Sequence, residues 1–171
     1  MKARVSTMYF STILLLVLMR FVSGQASAQT QQLRLEDLAK KAEVVLLGKV
    51  TDVRSEWNSE RTRIITKVSL DVDQYLKGEI PGRTIVITHP GGEVGGVGEL
   101  YSHTPSFAKG EEVFLFVKKD SKNNLSIAGG NEGKFKVTKN ELTGEKMLQG
   151  NLSLTDFTTR VKSILRQQEM K

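Results

Sequence analysis

Between Thr62 and Leu76 hydrophobicity alternates residue by residue. Ile64, Thr66, Val68, Leu70, Val72 and Leu76 fall on one side, broken only by Gln74, while Arg63, Lys67, Ser69, Asp71 and Asp73 fall on the other. An extended strand sends successive side chains to opposite faces, whereas a helix gathers residues three and four apart. A period of two held this long restricts the segment to a long antiparallel strand with one dry and one solvated face. The dry face then needs further strands, so the chain is committed to a closed or stacked sheet.

The flanking segments agree. Glu43 to Val53 is apolar at Val44, Val45, Leu46, Leu47, Val50 and Val53, which predicts a strand with Gly48 at a bulge or a close backbone approach. Ser55 to Glu60 is polar and reads as a connecting loop carrying Trp57 as a lid. Lys77 to Gly82 has turn composition, and Thr84 to Thr88 is a third strand. The glycine-dense stretch His89 to Gly98 reads as a flexible loop running on to Pro105 and Phe107, followed by a turn at Ala108 to Glu112. Val113 to Val117 is unbroken apolar chain, the pattern of a strand covered on both faces. Leu125 to Ala128 and Lys134 to Thr138 are two more strands around Gly129 to Gly133, and Lys139 to Gly150 reads as loose polar chain.

Both ends are helical by spacing. Leu35, Leu38, Ala39 and Ala42 take the i, i+3, i+4, i+7 positions of a short amphipathic helix within Leu33 to Ala42. Ser153-Leu-Thr-Asp156 has the form of a capping box, opening a helix with Leu154, Phe157, Val161, Ile164 and Leu165 on one side. Five or six short strands between turns predict an all-β fold, a closed or partly open Greek-key barrel flanked by the two helices.

The first 28 residues carry Lys2 and Arg4, an apolar run through Ile13 to Met19 and the triplet Ala26-Ser-Ala28. That is the layout of a secretory signal peptide cleaved after Ala28 to expose Gln29. The run falls short of the about 20 apolar residues a membrane-spanning helix needs, so no stable membrane association is expected after cleavage. The expected organisation is therefore a signal peptide at 1–28, a barrel domain with its N-terminal helix at 29–138, and a loop and amphipathic helix packed on the barrel at 139–171. With no cysteine in the chain, an exported protein must rely on sheet closure and packing, which suits a secreted or periplasmic bacterial protein. The formal charge of +6 falls to +3 once Lys2, Arg4 and Arg20 leave with the signal. So small a balance argues against nucleic acid, whose partners carry a concentrated basic stripe.

A helix running into Ala42-Glu-Val-Val-Leu-Leu-Gly-Lys-Val50, a long strand ending in Tyr75-Leu-Lys-Gly78, and Lys109-Gly-Glu-Glu-Val-Phe-Leu-Phe116 before a glycine-bounded strand form a recognisable order. Over residues 33–138 it resembles the OB-fold domain of tissue inhibitors of metalloproteinases (TIMPs) and netrin-like modules, and secreted bacterial proteins of the same plan. The resemblance implies an OB-like barrel. It also implies an inhibitor or accessory of a secreted protease as one reading of function. Those inhibitors chelate the protease zinc through an N-terminal cysteine held by disulfides, and here the expected N-terminus is Gln29 in a chain without cysteine, so only the shape carries over.

Candidate chemistry is sparse. His89 and His103 bracket Glu93 and Glu99 and supply the ligand types of a two-histidine, one-carboxylate metal site, but nothing local enforces that geometry. The glycines at 91, 92, 95, 96 and 98 do not spell a dinucleotide or phosphate-loop motif, and Gly133-Lys134 lacks the hydroxyl residue that should follow. Ser102 beside His103 has no third partner, and adjacent Glu111 and Glu112 point to opposite faces of a strand. Phe114, Phe116 and Phe135 sit in core patterns, not as stacking platforms, and the basic side of the last helix (Arg160, Lys162, Arg166) is a solvated face. These readings point away from an enzyme and from any cofactor. They point to a binding module for a protein partner, whose contact surface is Trp57 with Gly91, Gly92, Glu93, Gly95, Gly96 and Gly98. A metal-dependent protein centred on His89 and His103 is the further alternative.

Overall fold

A computed structural model describes residues 34–121, 123–149 and 151–170. The expected signal peptide and the new N-terminus at Gln29 lie outside the described residues. The chain divides into the units Met1–Asp37 and Leu38–Lys171. The described part of the first is the opening turn of helix α1 (34–41), with Leu35 buried. Among its described residues the second holds the remainder of α1, ten strands and the terminal helix α2 (Leu154–Glu169). The strands are β1 (Val44–Trp57), β2 (Ile64–Lys77), β3 (Thr84–Pro90), β4 (Gly92–Val94), β5 (Val97–Glu99), β6 (Glu112–Lys119), β7 (Leu125–Ile127), β8 (Lys134–Lys139), β9 (Lys146–Leu148) and β10 (Leu152–Ser153).

The alternating segment becomes β2, paired with β1 on one edge and β3 on the other, both antiparallel. β1 is bonded along its second edge to β6, from Val44↔Val117 to Lys49↔Glu112. β6 pairs with β7, and β7 meets β3 in parallel at Ile87↔Leu125. The circuit β1-β2-β3-β7-β6 is thus a closed five-stranded barrel of OB type. Leu46, Val68, Leu70, Ile87, Leu115 and Val117 are among the residues that fill it, and closure removes the open edges that a sheet this apolar would otherwise expose. From Glu112 to Leu115 β6 pairs with β8 in place of β7, which takes over from Val117, and β9 and β10 continue the sheet outward from the barrel.

Irregularities in the β1–β2 ladder bend the long pair into the barrel wall. One lies at Gly48, where an added Cβ would sit 2.5 Å from the Asp71 carbonyl oxygen, so the glycine marks a close backbone approach, as its place in an apolar run suggests. Across the same region β2 carries an extra residue, because Gly48 faces Val72 while Leu47 faces Gln74. That extra residue reverses the inward phase. Tyr75, not Leu76, therefore packs with the barrel core, and its hydroxyl donates to the Ile80 carbonyl at 3.2 Å. At the end of β2, Lys77 Nζ donates to the carbonyls of Ala39 (2.8 Å) and Ala42 (2.6 Å). A cation here satisfies carbonyls that the last turn of α1 leaves unpaired and opposes the negative end of its dipole.

Both faces of β6 are dry, and for different reasons. Val113, Leu115 and Val117 point into the barrel. Phe114 and Phe116 point away from it, where Phe157 of α2 meets Phe114 edge-on at 5.0 Å and Phe135 of β8 meets Phe116 at 6.0 Å, with Phe135 and Phe157 themselves 4.8 Å apart. α2 buries Leu154, Phe157, Val161, Ile164 and Leu165, the stripe its spacing predicts. Ser153 occupies the N-cap position without forming a side-chain cap hydrogen bond, so the capping box is not realised.

Two segments are more ordered than their composition implies. β1 continues through Ser55, Glu56 and Trp57, leaving only residues 58–63 as the turn, where Asn58 Oδ1 accepts the N–H groups of Thr62 (2.8 Å) and Arg63 (3.2 Å). The stretch read as loose chain after Lys139 is a hairpin: Asn140 Oδ1 accepts from Leu142 N–H (2.9 Å), Gly144 takes φ +73°, and β9 returns along β8 to bury Leu148.

Removing the ring that joins α2 to β6 and β8 tests this arrangement. Phe157→Ala should lower the unfolding free energy by roughly 3–5 kcal/mol, read as a lower urea midpoint; a loss below about 1 kcal/mol would mean the helix does not dock there.

Candidate functional site

The glycine-dense segment is a hairpin lying against one end of the barrel. β4 and β5 pair through Gly92↔Glu99, Glu93↔Gly98 and Val94↔Val97, leaving Gly95-Gly96 as a two-residue turn. Both turn glycines have positive φ, +59° and +80°, which a type I′ turn requires and side-chain-bearing residues resist. An added Cβ at either would meet open space, so these glycines serve the turn and not a close approach. The flexible loop expected over His89 to Gly98 is therefore the end of β3 followed by a tight hairpin.

At its base the hairpin is pinned to the β1–β2 ribbon. Gly91 N–H donates to the Ile64 carbonyl (2.9 Å), and Thr66, a polar residue buried as a whole (4% exposed), donates to the Gly91 carbonyl at 2.6 Å. Because the Thr66 proton is committed there, the Ser55 hydroxyl 2.9 Å away donates to Thr66. This chain satisfies polar groups that burial would otherwise penalise. Gly92, at φ +130°, runs so near the two hydroxyls that an added Cβ would stand 2.5 Å from Thr66 Oγ1 and closer still to Ser55 Oγ. Gly91, at φ +90°, would bring one within 2.8 Å of the Glu99 carbonyl oxygen and 3.2 Å of the Tyr101 ring.

Trp57 belongs to the same end. It lies opposite Ile64 just as Ser55 lies opposite Thr66, and directly paired residues project to the same face, so its indole stands on the face that β4 covers lower down. Trp57 remains 37% exposed, beside a hollow lined by Asn58, Ser59 and Arg61. Val97, Leu100 and Tyr101 are also large, apolar and exposed, Leu100 completely so, and Tyr101 O–H donates to Glu99 Oε2 at 3.1 Å. Glu93 and Gly98 are exposed on the hairpin arms. Trp57 and the glycines thus belong to one region of the barrel. Val97, Leu100 and Tyr101 are the additions: Val97 lies among the glycines and the other two just after them, and only their exposure distinguishes them from core residues.

The histidines take separate roles. His89, next to last in β3, has its ring stacked on Phe107 (centroids 6.0 Å apart, 25° between planes), and Nδ1–H donates to the Pro90 carbonyl at 3.0 Å. His103 sits at φ +64°, and its carbonyl accepts the Asn131 N–H at 3.0 Å. Among the described residues, no three His, Cys, Asp or Glu side chains are grouped so as to hold a metal.

Phe107 itself seals the barrel wall where β7 gives way to β8. Among the described residues β8 has no ladder with β3; instead Phe107 packs on the core, with the His89 ring of β3 against it and Lys134 Nζ of β8 4.4 Å from its centroid. Lys134 also donates to the Ser106 carbonyl and to both carboxylate oxygens of Glu111 at 2.9 Å, with the lysine and glutamate side chains only 12% and 7% exposed. A cation so enclosed needs this set of partners to offset its desolvation. No family model matches the chain, and no curated protein matches it.

The pinned base gives an ordered pair of expectations. Gly92→Ala meets both the hydroxyl pair and an unfavourable φ and should lose roughly 3 kcal/mol, whereas Gly95→Ala, strained only in φ, should lose about 1 kcal/mol. Urea unfolding of both variants decides it, and the reverse order would refute the docking of β4 over Ser55 and Thr66.

Proposed function

We propose that this chain is a non-enzymatic, exported binding module whose contact surface for a protein partner is the barrel end formed by Trp57 and the β4–β5 hairpin. The observation that carries the reading is the exposure of Val97, Leu100 and Tyr101 on and just after a hairpin whose base is hydrogen-bonded into the barrel, together with that of Trp57 on β1, the strand that β4 contacts. Exposed apolar groups scattered singly need no explanation, but several around one rigid projection are what a docking surface supplies. Fixing that projection in advance lowers the ordering cost of association. Gly91, Gly92, Gly95, Gly96 and Gly98 serve the module by shaping the hairpin, and Glu93 adds an exposed charge on its arm.

The secretory layout of residues 1–28 supports placement outside the cytoplasm, with Gln29 as the first residue of the mature chain. The five-stranded barrel also supports a narrower version, an inhibitor or accessory of a secreted protease, through the likeness to the TIMP OB-fold domain. Without cysteine such an inhibitor would work by lodging the hairpin against its target, not by presenting a disulfide-held N-terminus to zinc.

Tagged protein recovered from the envelope or medium of its own cells should co-purify with a partner. The double variant Val97→Asp, Leu100→Asp, altered only at exposed positions, should recover at least tenfold less, the scale of losing one contact hot spot. Undiminished recovery would refute the surface. A panel of secreted metalloproteases left uninhibited at micromolar concentration would remove the narrower version.

A further inference from the structure

Beside the Phe107 seal lies a groove of about 400 Å³, lined by Ser106, Phe107, Asn131, Lys134, Lys136 and Gln149 among others. It shares no residue with the hairpin surface. We infer that it binds a carboxylate presented on an extended peptide, with Lys136 as the receiving cation and the amides of Asn131 and Gln149 as further donors.

Lys134 and Lys136, two residues apart in β8, place their side chains on the same face. Lys134 is spent: both Glu111 oxygens, the Ser106 carbonyl and the Phe107 ring surround it, and it forms a fixed wall. Lys136 is exposed and has neither an ion pair nor a hydrogen bond among the described residues, and the same holds for the side chains of Asn131 and Gln149. Glu111 balances Lys134, so the groove keeps one uncompensated positive charge, that of Lys136. A carboxylate accepts without donating, so it matches an ammonium flanked by amide N–H groups, and hydrogen bonds to an ionised acceptor are the stronger kind. Pro105, Ala108 and Phe107, whose ring also meets His89 and Lys134, add an apolar floor for a neighbouring side chain. The volume lies at the low end of the roughly 300–1,000 Å³ typical of small-ligand pockets, enough for a short peptide segment and not for a folded element.

A C-terminal carboxylate and an internal Glu offer the same chemistry, and three tripeptides separate them: acetyl-Ala-Leu-Ala with a free carboxylate, acetyl-Ala-Glu-Ala amide, and acetyl-Ala-Leu-Ala amide. Titrated into the 15N-labelled protein at low salt, at least one of the two acids should shift the backbone amides of Lys136, Asn131 and Gln149, and the neutral amide should not. Whichever acid binds identifies the source of the carboxylate. Lys136→Gln should weaken that binding roughly fivefold, Lys162→Gln on α2 should leave it unchanged, and added salt should weaken it as screening requires. No shift with either acid, equal shifts with the neutral peptide, or unaltered affinity in Lys136→Gln would each overturn the inference. Because the readout is confined to groove amides, failure here leaves the hairpin surface untouched, and the reverse.

Discussion

The barrel exists because β1 is hydrogen-bonded along both edges. A strand paired on one edge only would end a sheet; β1 is joined to β2 from Val45 to Trp57 and to β6 from Val44 to Lys49, and because β2 leads through β3 and β7 back to β6, the circuit closes on β1. That double pairing demands strong coiling, and the irregularities around Gly48 supply it by letting the backbone of β1 approach Asp71 where a side chain would collide. Once the circuit is closed, the inward apolar residues of β1, β2, β3 and β6 share one interior. The outer face of β6 is then left for the aromatic layer under α2.

Much of this was legible from residue order because its cause is local. The alternation along β2, the unbroken run in β6 and the stripe of α2 state which faces are dry, and Val113 to Val117 are fully buried. What escaped was set by pairing across the chain. Ser55-Glu-Trp57 looks like a loop until β2 lies beside it. Leu76 looks inward until the extra residue in β2 hands that place to Tyr75. Strands as short as Lys146–Leu148 carry too few residues for any period to show.

In the candidate site, composition marks the glycine segment but not its conformation. Glycine density drew attention to residues 91–98, but the same composition serves looseness, tight turns and close approach. Gly95-Gly96 between Val94 and Val97 is a turn signal for a hairpin, whereas Gly92 is glycine because Thr66 and Ser55 lie against it, a fact no spacing in the chain reveals. Likewise His89 and His103 bracket the segment in sequence yet find different neighbours, one an aromatic ring and the other the turn that carries Asn131.

The Phe107 seal gives the barrel two kinds of wall. Around most of its circumference, strand pairing dictates spacing, and a change of width means unzipping a ladder. Between β3 and β8 the spacing is kept by an imidazole, a phenyl ring and an ammonium in sequence. Side chains obey no register. The packed interior can therefore accept a larger or smaller residue at that single seam without a ladder being broken, which makes it the stretch of circumference most open to evolutionary tailoring.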